Sequence, residues 1–186
     1  MEITKINEYD IDVELEKRIQ SLLLECFPDI YPEDRIYYKQ IPHFRYLVFD
    51  KDILIGHVGL DYRVMNLNGM IIRVLGIVDI CIKEEYRGNG LASKLLQTIE
   101  NFAAAHSLDF LLLFTDIEPF YIKNDFISVN NTCKWTKIDE HKTLGIGEDI
   151  IKELMIKQTG NRVWKDGYLD MLGYMYYILF TPYLMN

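Results

Sequence analysis

The chain has 186 residues, 28 acidic and 20 basic side chains and a formal charge of −8, a size that fits one domain. With 49% apolar and 13% aromatic residues it can bury a core without staples, which excludes a disordered chain. Its acidity excludes non-specific nucleic-acid binding, which needs clustered Lys and Arg. No apolar run reaches the length of a membrane span, and no charged-then-apolar N-terminal signal is visible. Three widely spaced cysteines, Cys26, Cys81 and Cys133, argue against a disulfide framework or a zinc site and fit a reducing cytoplasm.

The first predicted element is a helix over 12–26, with Val13, Leu15, Ile19, Leu22 and Leu23 at mostly helical spacing and Asp10 or Asp12 as cap. Pro32 is placed to start a short second helix that Pro42 ends. Residues 43–50 read as a strand, Lys51-Asp52 as a hairpin turn, 53–65 as a second strand, Asn66 to Gly69 as another turn, and Met70 to about Ile82 as a long third strand. Gly88 and Gly90 precede a helix carrying Leu91, Leu95, Leu96, Ile99 and Phe102 on its apolar face. Phe110–Phe114, short and fully apolar, reads as a central strand buried on both faces. Strand, glycine turn, helix, strand is a βαβ unit, so these two strands are expected to be parallel. A short helix near Glu118–Lys123, a strand over 126–137, a helix over 149–159 stopped by Gly160, and a last strand over 173–180 complete the expectation. The whole is a mixed α/β (α+β) single domain over 1–186 with an unassigned insert at about 139–172.

The most informative stretch is 78–96. A helix beginning directly after Arg87-Gly88-Asn89-Gly90-Leu91-Ala92 presents unpaired backbone N–H groups. Glycines at 88 and 90 permit positive φ and close approach, and Arg87 adds a fixed positive charge. This combination suits a pyrophosphate at a helix N-terminus. Neither the P-loop pattern nor G-x-G-x-x-G is present.

Arg87–Ala92 resembles R/Q-x-x-G-x-G/A, the acetyl-CoA pyrophosphate loop of the GNAT N-acetyltransferases. Ile80-Cys81-Ile82 occupies the place where members of that superfamily bind the pantetheine arm through backbone groups. Glu118–Phe126 resembles a second family motif, F-Y-x-x-x-G-F, with Asp125 in place of the glycine. The resemblance covers roughly 12–137 plus the last strand. From Ile55-Gly56-His57-Val58 to Arg87 the pattern is similar, more narrowly, to aminoglycoside 2′-N-acetyltransferases. What it implies is a twisted mixed sheet with a splayed parallel strand pair flanked by helices, acetyl-CoA (coenzyme A) as cofactor, and acetyl transfer to the primary amine of a small acceptor. The cofactor residues implied are Ile80, Cys81, Ile82, Arg87, Gly88, Asn89, Gly90, Leu91 and Ala92. A homodimer through the last strands is a family analogy. A non-catalytic acyl-CoA-binding module and a protein or peptide N-acetyltransferase remain the alternatives.

By the same resemblance Tyr121 is the acid that protonates the departing thiolate; a phenol of reference pKa about 10 carries its proton at neutral pH. The glutamate that many members carry nine or eleven residues before the loop arginine is absent, those positions being Val78 and Gly76. Asp79, eight before, should face away from the base position unless a bulge intervenes. Asp116, just after the central strand, and His57 are the other candidates for a base, and water is a further one. Cys81 and the tryptophans Trp135 and Trp164, with the aromatic tail Tyr174–Tyr183, are expected to fill core.

The charge has a location. Residues 1–34 hold ten acids and three bases, −7 of the −8, while 35–186 hold 18 acids and 17 bases. This is a solvated face or, if the first helix walls the acceptor side as the resemblance implies, an acidic approach for a cationic amine.

Overall fold

The computed structural model describes residues 1–175. In chain order the elements are β1 (Glu2–Asn7), α1 (Val13–Cys26), β2 (Phe44–Asp50), β3 (Ile53–Leu67), β4 (Met70–Ile82), α2 (Leu91–Ala105), β5 (Phe110–Phe114), α3 (Glu118–Ile122), β6 (Ile127–Ser128), β7 (Asn131–Asp139), β8 (Lys142–Ile150), β9 (Leu154–Gln158) and β10 (Gly167–Tyr174). They form one mixed sheet in the order β6-β9-β5-β4-β3-β10-β7-β8, with β2 added to β3 and β1 to β2.

Local chemistry explains the boundaries. The Asp12 carboxylate accepts from Leu15 N at 2.8 Å and caps α1, a contact worth about 1 kcal/mol. Lys51, at φ 52, and the Asn68-Gly69 pair, at φ 53 and 86, supply the left-handed geometry of the two hairpin turns. The period of two sorts β4 and β5 between two cores. Leu75, Ile77, Leu111 and Leu113 pack under α2 with Leu95 and Ile99. Ile72, Val74, Phe110 and Leu112 face the opposite cluster, which includes Trp135 and Leu169. A third cluster seats Ile19, Leu22 and Leu23 of α1 on Leu47, Leu54 and Cys81.

The parallel pair sits at the centre. Val74, Leu75 and Gly76 pair with Phe110, Leu111 and Leu112, and there the pairing ends. β5 continues against β9, and β4 continues against β3 to Ile82. The two strands therefore part beyond Gly76 and Leu112. β4 carries a bulge in this stretch: His57 pairs with Cys81 and Gly59 with Val78, so Val58 stands opposite both Asp79 and Ile80. Asp79 takes φ 51, the left-handed residue of the bulge.

Three expectations need correction. The segment after Pro32 is a run of turns and bends, not a helix. Its polar groups are taken by tertiary partners: Arg45 donates to Ile36 O at 2.8 Å, and Tyr31 and Ile36 are drawn into the core under α1. The helix expected over 149–159 is the end of β8, a turn, and β9. Leu154, Met155 and Ile156 are all buried, pairing with β5 on one side and, at Met155 and Ile156, with β6 on the other, so tertiary burial overrides a pattern that also reads as helical. The strand expected over 126–137 breaks at Val129 and Asn130 into β6 and β7. β1 was not foreseen. The segment 139–172 contributes β8, β9 and much of β10 to the same sheet. The strand expected over 173–180 lies, beyond Met175, outside the described residues.

Candidate active site

After β4 the chain makes one 3-10 turn, Glu84–Tyr86, and enters α2 through the glycine turn. Gly88 and Gly90 take φ 77 and 75, and an added Cβ at either would meet nothing within 4 Å. The demand for glycine is thus one of backbone conformation rather than of space. Gly90 caps α2 without a side-chain hydrogen bond, and no acid sits in the first turn. The first N–H groups of α2 are left to an outside acceptor. Arg87 is tethered beside them, its Nε donating to Ile82 O at 2.9 Å. Asn89 donates from Nδ2 to the carbonyls of Tyr86 and Arg87, so its side chain serves the turn.

Where β4 and β5 part, a cleft of about 520 Å³ opens. Ile80, Cys81 and Ile82 of β4 line it, together with Arg87, Gly88, Gly90, Leu91 and Ala92 of the turn and helix start. Ile117, Phe120 and Tyr121 line it from beyond β5, and Cys26 and Phe27 from the end of α1. The structure therefore brings together nine of the thirteen cofactor and catalytic candidates named in the sequence; Asn89, Asp79, Asp116 and His57 are not among the lining residues. Asp116 is exposed. Sequence reasoning missed Cys26, Phe27, Tyr86, Ser93, Ile117 and Phe120. Tyr86, Ser93 and Phe120 flank or lie within the quoted motifs, whereas Cys26 and Phe27 arrive from a distant helix end with no local signal.

Tyr121 is buried, with ring centroids 5.0 Å from Phe120 and 5.6 Å from Phe126. Burial pushes its phenol up to about 12, so it holds its proton at neutral pH. The turn after α3 closes with Phe126 N on Tyr121 O at 3.1 Å. Asp125 makes that turn at φ 64, the conformation for which the family motif uses glycine. Cys26 and Cys81 line the cleft as well. The neighbouring Cys81 thiol, with the Arg87 charge, holds Cys26 below the usual thiol value; Cys26 and burial push Cys81 well above it.

Behind β4 lies a buried polar chain. Glu8 holds Arg45 through both carboxylate oxygens, at 2.7 and 2.8 Å. Arg45 Nη1 lies 2.7 Å from His57 Nε2, and His57 Nδ1 lies 2.9 Å from Asp79 O. A guanidinium can only donate. Nε2 is therefore an acceptor, the proton sits on Nδ1, and it is donated to the bulge carbonyl. His57 is fully buried, and desolvation with the Arg45 charge lowers it to about 3. It is neutral and away from the cleft, which removes it as a candidate base. The Asp79 carboxylate turns to Tyr31, whose hydroxyl donates at 3.1 Å. Burial raises this carboxyl, opposed by the Tyr31 hydrogen bond and the Arg45 charge. The bulge that could have redirected Asp79 is present, but its side chain serves Tyr31. Trp135 and Trp164 belong to the core, Trp164 donating to Asn131 Oδ1 at 3.0 Å.

The model of the acetyltransferase (GNAT) family matches residues 16–121, from α1 through the glycine turn to Tyr121. The chain belongs to the GNAT acetyltransferase family. Members of this family use acetyl-CoA. No curated protein matches the sequence. Among solved structures, the GNAT family N-acetyltransferase YhbS of Escherichia coli, in complex with CoA, is similar at 15% identity over 91% of this chain and 89% of that chain, with a TM-score of 0.59. An aminoglycoside 6′-N-acetyltransferase complexed with coenzyme A is similar at 15% identity over 88% and 99%, TM-score 0.58. A conserved protein of Enterococcus faecalis is similar at 18% identity and TM-score 0.57 over 69% of this chain, which spans only 33% of that longer one. These likenesses are of fold. The residues of this GNAT chain suit the family's cofactor on their own terms: uncapped N–H groups and a tethered arginine for a diphosphate, and a cleft along the freed stretch of β4 for an extended arm. Among the described residues no group of His, Cys, Asp or Glu could hold a metal ion, and no helix is long and apolar enough to cross a membrane.

Proposed function

We propose that the protein transfers the acetyl group of acetyl-CoA to a primary amine of a small, cationic acceptor. The observation that carries this reading is the single cleft that joins the uncapped start of α2, the parted edge of β4 and the Tyr121 phenol. When bound, acetyl-CoA supplies a thioester carbonyl open to attack and a thiol as leaving group. Arg87 and the first N–H groups of α2 bind the diphosphate. The backbone of Ile80–Ile82 pairs with the amide arm as an added strand would. The N–H of Ile80, next to the bulge, would supply a donor to polarise the thioester oxygen. Tyr121 gives its proton to the departing sulfur. Among the described residues, no carboxylate or histidine lines the cleft, and the acceptor amine loses its proton to water before attack, neither Asp79 nor Asp116 taking it directly.

The cationic acceptor is supported by charge. Glu8, Glu25 and Asp34 are engaged with Arg45, Lys83 and Arg35, and Asp12 caps α1. Asp29 and Glu33 remain exposed in the segment following α1, the helix whose end lines the cleft.

The test is release of free thiol from acetyl-CoA against a panel of amines, with thermal stabilisation by acetyl-CoA alone as the binding control. Thiol release that depends on a polycationic amine supports the reading. Stabilisation without release from any amine would make the protein a binding module, and no stabilisation would refute the assignment of the cleft. Neutralising Asp29, Glu33 and Asp34 together should raise KM for the cationic acceptor and flatten its salt dependence. An unchanged KM would return that charge to solubility alone.

A further inference from the structure

Cys26, the last residue of α1, and Cys81, on β4, both line the cleft and pack in the same cluster under α1. Each thiol is the strongest influence on the other's ionisation, and the Arg87 charge acts on Cys26. Both are free thiols, Cys26 half-buried and Cys81 buried. Cys133, by contrast, is fully buried in the separate cluster around Phe110 and Trp135. A cysteine that only fills space needs no cation and no second thiol. Oxidisable thiols are partly exposed, sit near positive charge and have a resolving cysteine within reach. All three conditions meet at Cys26.

We propose that Cys26 and Cys81 form a reversible redox pair that shuts the cofactor cleft when oxidised by a peroxide. The proposal rests on the function above only in taking the cleft as the acetyl-CoA site. In the first step the Cys26 thiolate attacks one peroxide oxygen. The S–O bond forms, the O–O bond breaks, and hydroxide leaves and is protonated to water; Cys26 becomes a sulfenic acid. In the second step the Cys81 sulfur attacks Cys26 Sγ. The S–S bond forms, the S–O bond breaks, and the departing hydroxide takes the Cys81 proton as water. Two thiols and one hydrogen peroxide give one disulfide and two waters. The new bond ties the end of α1 to β4 across the wall along which the amide arm of acetyl-CoA would lie, and a reducing dithiol reopens it. Disulfides of this transient, regulatory type are the ones a reducing compartment tolerates.

The experiment treats the reduced full-length protein with hydrogen peroxide, with and without acetyl-CoA, followed by peptide mapping without reductant and by thermal shift. The expected result is a 26–81 cross-link whose formation acetyl-CoA slows, loss of the stabilisation by acetyl-CoA in the oxidised protein, and its return with dithiothreitol. In Cys81→Ala, Cys26 should advance to the sulfinic acid instead; in Cys133→Ala the cross-link should persist. A wild-type Cys26 that stops at sulfinic acid, a cross-link to Cys133, or a cross-linked protein stabilised by acetyl-CoA as well as the reduced one would overturn the proposal. If acetyl-CoA fails to stabilise even the reduced protein, the assignment of the cleft falls, while the mapped cross-link still reports on the thiol pair.

Discussion

Replacing His57 with phenylalanine keeps a ring in a fully buried site and removes both of its hydrogen bonds. Two groups then lose their partners: an N–H of the Arg45 guanidinium, 2.7 Å from Nε2, and the Asp79 carbonyl, 2.9 Å from Nδ1. A buried donor or acceptor stripped of its partner costs about 1–3 kcal/mol, more where the group is charged. The expected loss is therefore about 2–6 kcal/mol, a large share of the ~5–15 kcal/mol by which a domain is stable. Urea unfolding measures it as a lower midpoint at similar slope. His57→Gln, which brings one acceptor and one donor, should recover part of the loss. A phenylalanine variant within 1 kcal/mol of wild type would refute the tautomer argument and with it the bracing of the bulge.

The same residue carries a pH signature. His57 is lowered from 6.5 to about 3 by desolvation and by Arg45. Below pH 6.5 the unfolded chain takes up a proton that the folded site refuses until about pH 3. The contribution is thus fully present above pH 6.5 and is lost as pH falls toward 3, by up to about 1.4 kcal/mol per pH unit. The Asp79 carboxyl, raised by burial, lies beside the same site in both proteins, so the readout is the difference between wild type and His57→Gln. That difference should shrink with acid; parallel stability curves across the window would count against a neutral buried His57.

Gly90→Ala forces a Cβ into φ 75 where no neighbour stands within 4 Å. It should cost about 1–2 kcal/mol from backbone strain alone and weaken stabilisation by acetyl-CoA; an unchanged thermal shift would detach the turn from binding. Tyr121→Phe keeps the packing against Phe120 and Phe126 and should lower turnover by about 10²-fold or more, whereas wild-type turnover across the pH range would remove the phenol from proton transfer. Asp79→Asn preserves a residue type that tolerates φ 51 but changes the partner of Tyr31, and should lower both stability and kcat. Asp116→Asn, at an exposed position, should leave kcat near wild type, and a tenfold fall with a shifted acid limb would make Asp116 the base.

What could be read in the sequence was the chemistry held in consecutive residues. Arg87 to Ala92 declared a helix start with two left-handed glycines, and the structure gives φ 77 and 75 there. The run Phe110–Phe114 declared a buried strand, and it pairs in parallel with β4. Glu118 to Phe126 declared a turn that Asp125 could make, and Asp125 makes it at φ 64. Leu154–Ile156 misled because an apolar run between lysines fits both periods; only burial between β5 and β6, partners far away in the chain, selects the strand. The bulge at Asp79 was out of reach for a stronger reason. Nothing between Val78 and Ile82 requires an extra residue in the register. The left-handed aspartate is held by a histidine on β3, an arginine on β2 and a glutamate that follows β1, a strand no pattern announced. Three strands must already be paired before the carbonyl that His57 binds exists in its place. Most of the groups that line the cleft were thus local and legible. The groups that hold β4 in shape are distributed, and Arg45, buried with only 1% of its surface exposed, carries no signal of that role in its neighbouring residues.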